Sequence, residues 1–186
     1  MKVIRKALCP IVDFFLIRKK IWKFFILPVI AALITGILLM YQDSVNINNE
    51  EYSSQLRASC QNFINTAITG ISILTSFSLA VITIICSSDS DSIARLKDAH
   101  GDRKLYRPLK NSETTPTLFQ VLLATVSYNV FSEIVFLAIL FMQLFIVESY
   151  GIAVMSVVLL VNVFFIVHIL CVLWSTIYAL YFTYWK

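Results

Sequence analysis

The stretch Leu118–Val147, LFQVLLATVSYNVFSEIVFLAILFMQLFIV, contains no Arg, Lys, Asp, Gly or Pro, and a single acid, Glu133, in its middle. About 20 predominantly apolar residues already cross the hydrocarbon of a bilayer as a helix, so the stretch predicts a membrane span. A carboxylate at that depth is costly, and by default it marks a functional position with a partner. The remainder of the chain is read outward from this helix.

Of 186 residues, 59% are hydrophobic and 14% charged, with a mean hydropathy of +0.81. Soluble domains carry about a quarter of their residues as charges. The composition therefore excludes a soluble globular protein, and no stretch is long enough for a separate soluble core. The four cysteines, Cys9, Cys60, Cys86 and Cys171, lie far apart without metal-type spacing, and read as small apolar packing residues. On the topology below only Cys60 falls on the outer side, so no intrachain disulfide is expected for it.

Residues 1–20 form a basic arm. Val3, Ile4, Ala7, Leu8, Ile11, Val12 and Phe15 recur at helical spacing, while Lys2, Arg5 and Lys6 take other positions. That pattern predicts an amphipathic helix lying on an anionic leaflet at the cytosolic interface, bent or broken at Pro10. The first long apolar segment starts late and lacks a small-residue cleavage site, so neither a cleaved signal peptide nor a lipid anchor at Cys9 is expected.

Residues 21–186 predict a four-helix transmembrane domain. The first span, Ile21–Tyr41, has Trp22 and Tyr41 at its ends, where aromatic rings favour the interface. It contains Pro28 and Gly36, which membrane helices tolerate. The polar QDSVNINNEEYSSQLRASCQ that follows predicts an outer loop or short capping helix. In the second span, Phe63–Cys86, the residues Asn65, Thr69, Ser72, Ser76, Ala80 and Thr83 follow one helical stripe. Small and hydroxylated residues let helices approach closely; a stripe facing a wet path is the alternative. The connection at 87–117 opens with N-cap candidates in SSDSDS and predicts a short helix over Ile93–Ala99. It is basic through Arg95, Lys97, Arg103, Lys104, Arg107 and Lys110. After Leu118–Val147, a turn at Glu148–Gly151 leads to the last span, Ile152–Tyr184, which carries Asn162 and His168 and ends among aromatic residues.

Every Lys and Arg except Arg57 lies in the N-terminal arm, at Lys23 where the first span begins, in the 87–117 connection or at Lys186. The positive-inside rule then puts both termini and that connection in the cytoplasm. An antiparallel hairpin of the last two spans brings Glu133 and His168 to within about 3 Å in depth, at 1.5 Å per residue. Proximity would stabilise the carboxylate and the imidazolium together. With Gln120, Asn129 and Gln143 on one helix and Asn162 on the other, the interior reads either as a hydrogen-bonded seam or as a proton or ion path. Glu133→Gln is then expected to alter selectivity or conductance.

No HExxH, GxSxG, Walker A or GxGxxG pattern is present, so no catalytic residue, metal or cofactor is expected. His100, between Asp98 and Asp102, reads as a solvated turn. The basic cytosolic face suits anionic lipid, or a phosphate-bearing nucleotide or oligonucleotide with Tyr106 nearby.

The arrangement of basic arm, span, short outer loop, GISILTSFSLAVITIICSSDSDS, basic connection and helical hairpin resembles the small four-helix membrane effectors of bacterial antiphage defence. The Hailong-type channels are one such group, and the membrane accessory proteins of RNA-targeting CRISPR systems are another comparison. The resemblance implies a homo-oligomeric ion channel of the bacterial inner (plasma) membrane whose opening depolarises the infected cell. For the Hailong type it also implies a closed state held by an oligonucleotide that a partner enzyme makes. No family site residue is carried over.

The expectation is thus an all-α, polytopic membrane protein with four transmembrane helices plus an amphipathic N-terminal helix. It would work as an oligomeric channel whose path is lined by Asn65, Thr69, Ser72 and Ser76 or by the Glu133 helix. A membrane anchor or accessory protein recruiting a soluble defence partner through 87–117 is the alternative. A small proton-coupled transporter fits less well, because the two halves show no internal repeat.

Overall fold

A computed structural model of the chain describes residues 9–17, 22–46, 50–87, 91–99, 105–107 and 112–185. In chain order the elements are α1 (Cys9–Ile17), α2 (Trp22–Asn46), α3 (Glu50–Ser87), α4 (Asp91–Asp98), strands β1 (Leu105–Arg107) and β2 (Ser112–Thr114), α5 (Leu118–Ile146), a 3-10 turn (Val147–Ser149) and α6 (Ile152–Trp185). Four helical segments are long and apolar enough to cross a membrane: Phe24–Asn46, Glu51–Ser87, Leu118–Ser149 and Ile152–Tyr181. The fold is that of an all-α multi-pass membrane protein with one short hairpin. Large apolar side chains such as Leu33, Ile37, Phe145 and Trp174 are exposed, as a lipid-facing surface requires.

The chain divides into two compact units. One comprises Trp22–Thr75 and Ser132–Cys171. Its core gathers Cys60, Ile64, Ala67 and Ile71 of α3 with Phe136 and Leu140 of α5, Val147, and Ile169 of α6. Phe136 stacks on Phe165 at 5.3 Å between ring centroids. At Gly36 an added Cβ would sit 2.8 Å from Leu160 Cδ1, so the absent side chain lets α2 approach α6 closely.

The segment before Phe63, expected as an outer loop or short capping helix, is largely helix and continuous with the second span. Leu56 and Cys60 are buried and continue the series Ile64, Ala67 and Ile71 at spacings of three and four residues, with no Gly or Pro to stop it. Glu51 stands in the first turn of the helix, where an acid favours the N-terminal end of the dipole. At 38 residues, α3 is about 57 Å long and outruns the hydrocarbon by several turns.

The other unit comprises residues up to Ile21, Ser76–Phe131 and the segment from Val172 onward. α4 buries Ile93 and Leu96 against Ile85, Leu122 and Val126, and has Asp91 in its first turn and Arg95 and Lys97 in its last, the polarity that suits the helix dipole. β1 and β2 pair antiparallel, Leu105 opposite Thr114 and Arg107 opposite Ser112; this hairpin was not expected from the sequence. In α1 the buried residue is Phe14, stacked on Tyr128 with centroids 4.0 Å apart and rings 1° from parallel. Val12, Phe15 and Leu16 are exposed, as apolar side chains turned toward a bilayer would be, while Phe14 packs against α5. The Lys2, Arg5 and Lys6 assignments lie outside the described residues.

α5 begins with a capping box. The Gln120 backbone N–H donates to Thr117 Oγ1, and the Thr117 N–H donates to Gln120 Oε1, both at 3.3 Å, the reciprocal arrangement that satisfies two orphan donors of a helix start. Gln120 therefore serves the helix end, at an exposed position.

Candidate functional site

The polar residues of the long helices fall into two sets that differ in burial. The inward set contains Asn129, Glu133, Gln143, Asn162 and His168, all buried. Gln143 and Asn162 exchange two hydrogen bonds: Asn162 Nδ2 donates to Gln143 Oε1 at 2.9 Å, and Gln143 Nε2 donates to Asn162 Oδ1 at 3.2 Å. This amide pair ties α5 to α6 where the surroundings are apolar. Asn129 Nδ2 donates to Ser78 Oγ at 3.4 Å, tying α5 to α3 in the other unit. Glu133 is completely buried, so protein surrounds its carboxyl group.

His168 is held by a consequence of Pro28. In a helix the N–H of residue 28 would bond the carbonyl of Phe24, but proline has no N–H. The carbonyl left over takes a hydrogen bond from His168 Nδ1 at 3.2 Å. The imidazole is stacked at 4.8 Å on Phe25 and at 6.2 Å on Phe164. Donation from Nδ1 fixes the tautomer when the ring is neutral. His168 thus has a defined structural task on α2.

The outward set lies on α3. Asn65, Thr69, Ser72, Ser76 and Thr83 are all exposed. At 100° per residue these positions point away from the buried line Cys60, Ile64, Ala67 and Ile71. That side of α3 carries more polar groups than a lipid-facing surface requires, and it shares its angular range with the exposed Ile73 and Ile84. The hydroxyls are bound locally: Thr69 Oγ1 donates to the Asn65 carbonyl at 3.1 Å, Ser72 Oγ to Ile68 at 2.7 Å and Thr83 Oγ1 to Leu79 at 3.0 Å. No side chain among the described residues hydrogen-bonds the Asn65 carboxamide.

A third polar group, without a sequence signature, lies in the unit that contains α2. Asp43 Oδ1 accepts from the Tyr52 hydroxyl at 2.6 Å and Oδ2 from Ser156 Oγ at 2.8 Å, joining the end of α2 to the starts of α3 and α6. Ser156 is 113 positions from Asp43, a pairing no local periodicity reports. A 590 Å³ cavity beside it is lined by Gln42, Asn46, Glu51, Tyr52 and Gln55, among others.

Of the basic residues expected to hold a phosphate, Arg95 and Lys97 are exposed on α4, and Lys97 Nζ lies 5.6 Å from the centre of the Phe119 ring. Arg107 is on β1. Arg103, Lys104 and Lys110, like His100 and Asp102, lie outside the described residues. Among the described residues no three His, Cys, Asp or Glu side chains gather as a metal ion would need. Cys60, Cys86 and Cys171 are free thiols. In comparisons with protein-family models, curated proteins and solved structures, the chain matches none of them.

Proposed function

We propose that the protein is an oligomeric ion channel in which several copies surround a path faced by Asn65, Thr69, Ser72 and Ser76 of α3. The carrying observation is the exposed Asn65 carboxamide on the face of α3 opposite the core. Were this face to meet hydrocarbon, the amide would have no hydrogen bond, and an unsatisfied amide in an apolar medium costs roughly 2–7 kcal/mol. Water in a conduit, or polar groups of neighbouring copies around one, remove that cost. The hydroxyls, bound to their own helix, add polarity without adding a demand.

In this reading the inward set of Asn129, Glu133, Asn162 and His168 holds the protomer together, and permeation runs outside it. The Lys and Arg distribution puts both termini, with α4 and the hairpin, in the cytoplasm. Arg95, Lys97 and Arg107, with Arg103, Lys104 and Lys110, would form a face for a gating nucleotide or oligonucleotide. The likeness to four-helix antiphage effectors supports a bacterial inner membrane and a role in defence.

The test is current recording from the purified full chain in planar bilayers, with and without nucleotides and short oligonucleotides. Discrete openings modulated by a phosphate ligand are expected. A silent bilayer, with the protein shown to be folded and inserted, would overturn the channel in favour of a membrane anchor, whose soluble partner would be captured only when residues 87–117 are present.

A further inference from the structure

Glu51 stands on the same line of α3 as Asn65. At 100° per residue, positions 51, 58, 62, 65, 69 and 72 fall within a sector about 80° wide, and Glu51, Ala58, Asn62, Asn65, Thr69 and Ser72 are all exposed. Glu51 lies about 21 Å from Asn65 along the helix, at the end away from the cytosolic connection. Gln55, one turn on, donates Nε2 to Glu51 Oε1 at 3.2 Å. The sector holds no base. Arg57 is the only Lys or Arg between Lys23 and Arg95, and it lies about 100° round the helix from the middle of that sector. Its Nη2 donates to the Tyr150 carbonyl at 3.5 Å. Arg57 is thus turned off the polar line, and Glu51 stands on it, at the edge where α3 borders the cavity with Gln42 and Asn46.

We propose that the path is cation-selective and that Glu51, repeated around the outer mouth by the copies of the chain, sets that preference. The inference rests on the channel reading. Rings of carboxylates select cations by raising their local concentration and excluding anions. The neutral amides and hydroxyls that follow along α3 accept a passing cation without holding it.

Reversal potentials in a KCl gradient across planar bilayers test this for the wild type, Glu51→Gln, Glu51→Lys and Glu148→Gln. Glu148 is an exposed acid in the 3-10 turn and serves as the control. The wild type and Glu148→Gln should favour K+ equally, Glu51→Gln should reduce the K+/Cl− permeability ratio several-fold, and Glu51→Lys should favour Cl−. A wild-type channel without cation preference, or Glu51 variants that match it, would overturn the role of Glu51 and leave the channel intact. No wild-type current would overturn the channel and this role with it. Should the Glu51 variants fail to insert, the wild type decides: carboxylate attraction is screened over ~8 Å at physiological salt, so the preference must fall as salt rises, and a constant ratio overturns the assignment.

Discussion

Two asparagines on neighbouring long helices of one unit have opposite surroundings. Asn162 is fully buried and matched by Gln143 through two reciprocal hydrogen bonds. Asn65 is exposed on the far side of α3 from the core, and no side chain among the described residues bonds its amide. The first is explained within one copy of the chain. The second asks for something outside it, and that difference separates the residues that build the protomer from those proposed to face a path. Glu133 belongs with Asn162 by burial, so its substitution is now expected to change folding more than permeation.

The comparison breaks most directly through conduction. Asn65→Leu combined with Thr69→Leu and Ser72→Leu should lower single-channel current at least tenfold while the folded monomer persists in detergent. Replacing Gln143 and Asn162 together by leucine should leave the current per channel unchanged. Equal losses in both variants would erase the distinction between the two faces.

Stability sharpens it next. Asn162→Leu alone should cost about 1–3 kcal/mol, since Gln143 is left buried with its amide unmatched. Adding Gln143→Leu should recover part of that loss in denaturant titrations in micelles, because removing both polar partners is far cheaper than removing one. A similar cycle links His168 to Pro28. His168→Phe removes the hydrogen bond to the Phe24 carbonyl at a cost of about 1 kcal/mol, and Pro28→Ala in that background should restore stability by returning the missing N–H. If Pro28→Ala gives no recovery there, the hydrogen bond to Phe24 is not what His168 contributes.

The smallest effect expected is on α4. Lys97→Met should lower stability by about 0.5 kcal/mol, the scale of an exposed cation–π contact, which the same titrations would measure. A larger loss would mean that Lys97 contributes more than its contact with Phe119.

Much of the architecture is legible in the sequence. Leu118–Val147 and Ile152–Tyr184 are uninterrupted apolar runs long enough to span, and the turn between them is where the structure has the 3-10 segment and Gly151. The short helix over Ile93–Ala99 also stood out through its caps and its apolar spacing. The stripe on α3 was visible from periodicity, because a helix presents the same face every three to four residues. Two features stayed hidden. The early start of α3 was masked by the polar content of residues 50–59, although Leu56 and Cys60 continue the buried line. The use of Gln120 in a capping box was masked by its place on an apolar helix.

By itself, the sequence determined that this is a four-span membrane protein with a basic and a nearly base-free side, because hydrophobic run length and Lys/Arg position act residue by residue. Only the tertiary structure decided which polar residues point inward. Asn65 and Asn162 have the same side chain on helices that each contain a membrane-length apolar run. Their environments depend on the rotation of each helix, which is set by packing partners remote in sequence: Cys60 and Ile64 near Phe136, Gln143 opposite Asn162, and His168 beneath the carbonyl that Pro28 leaves open.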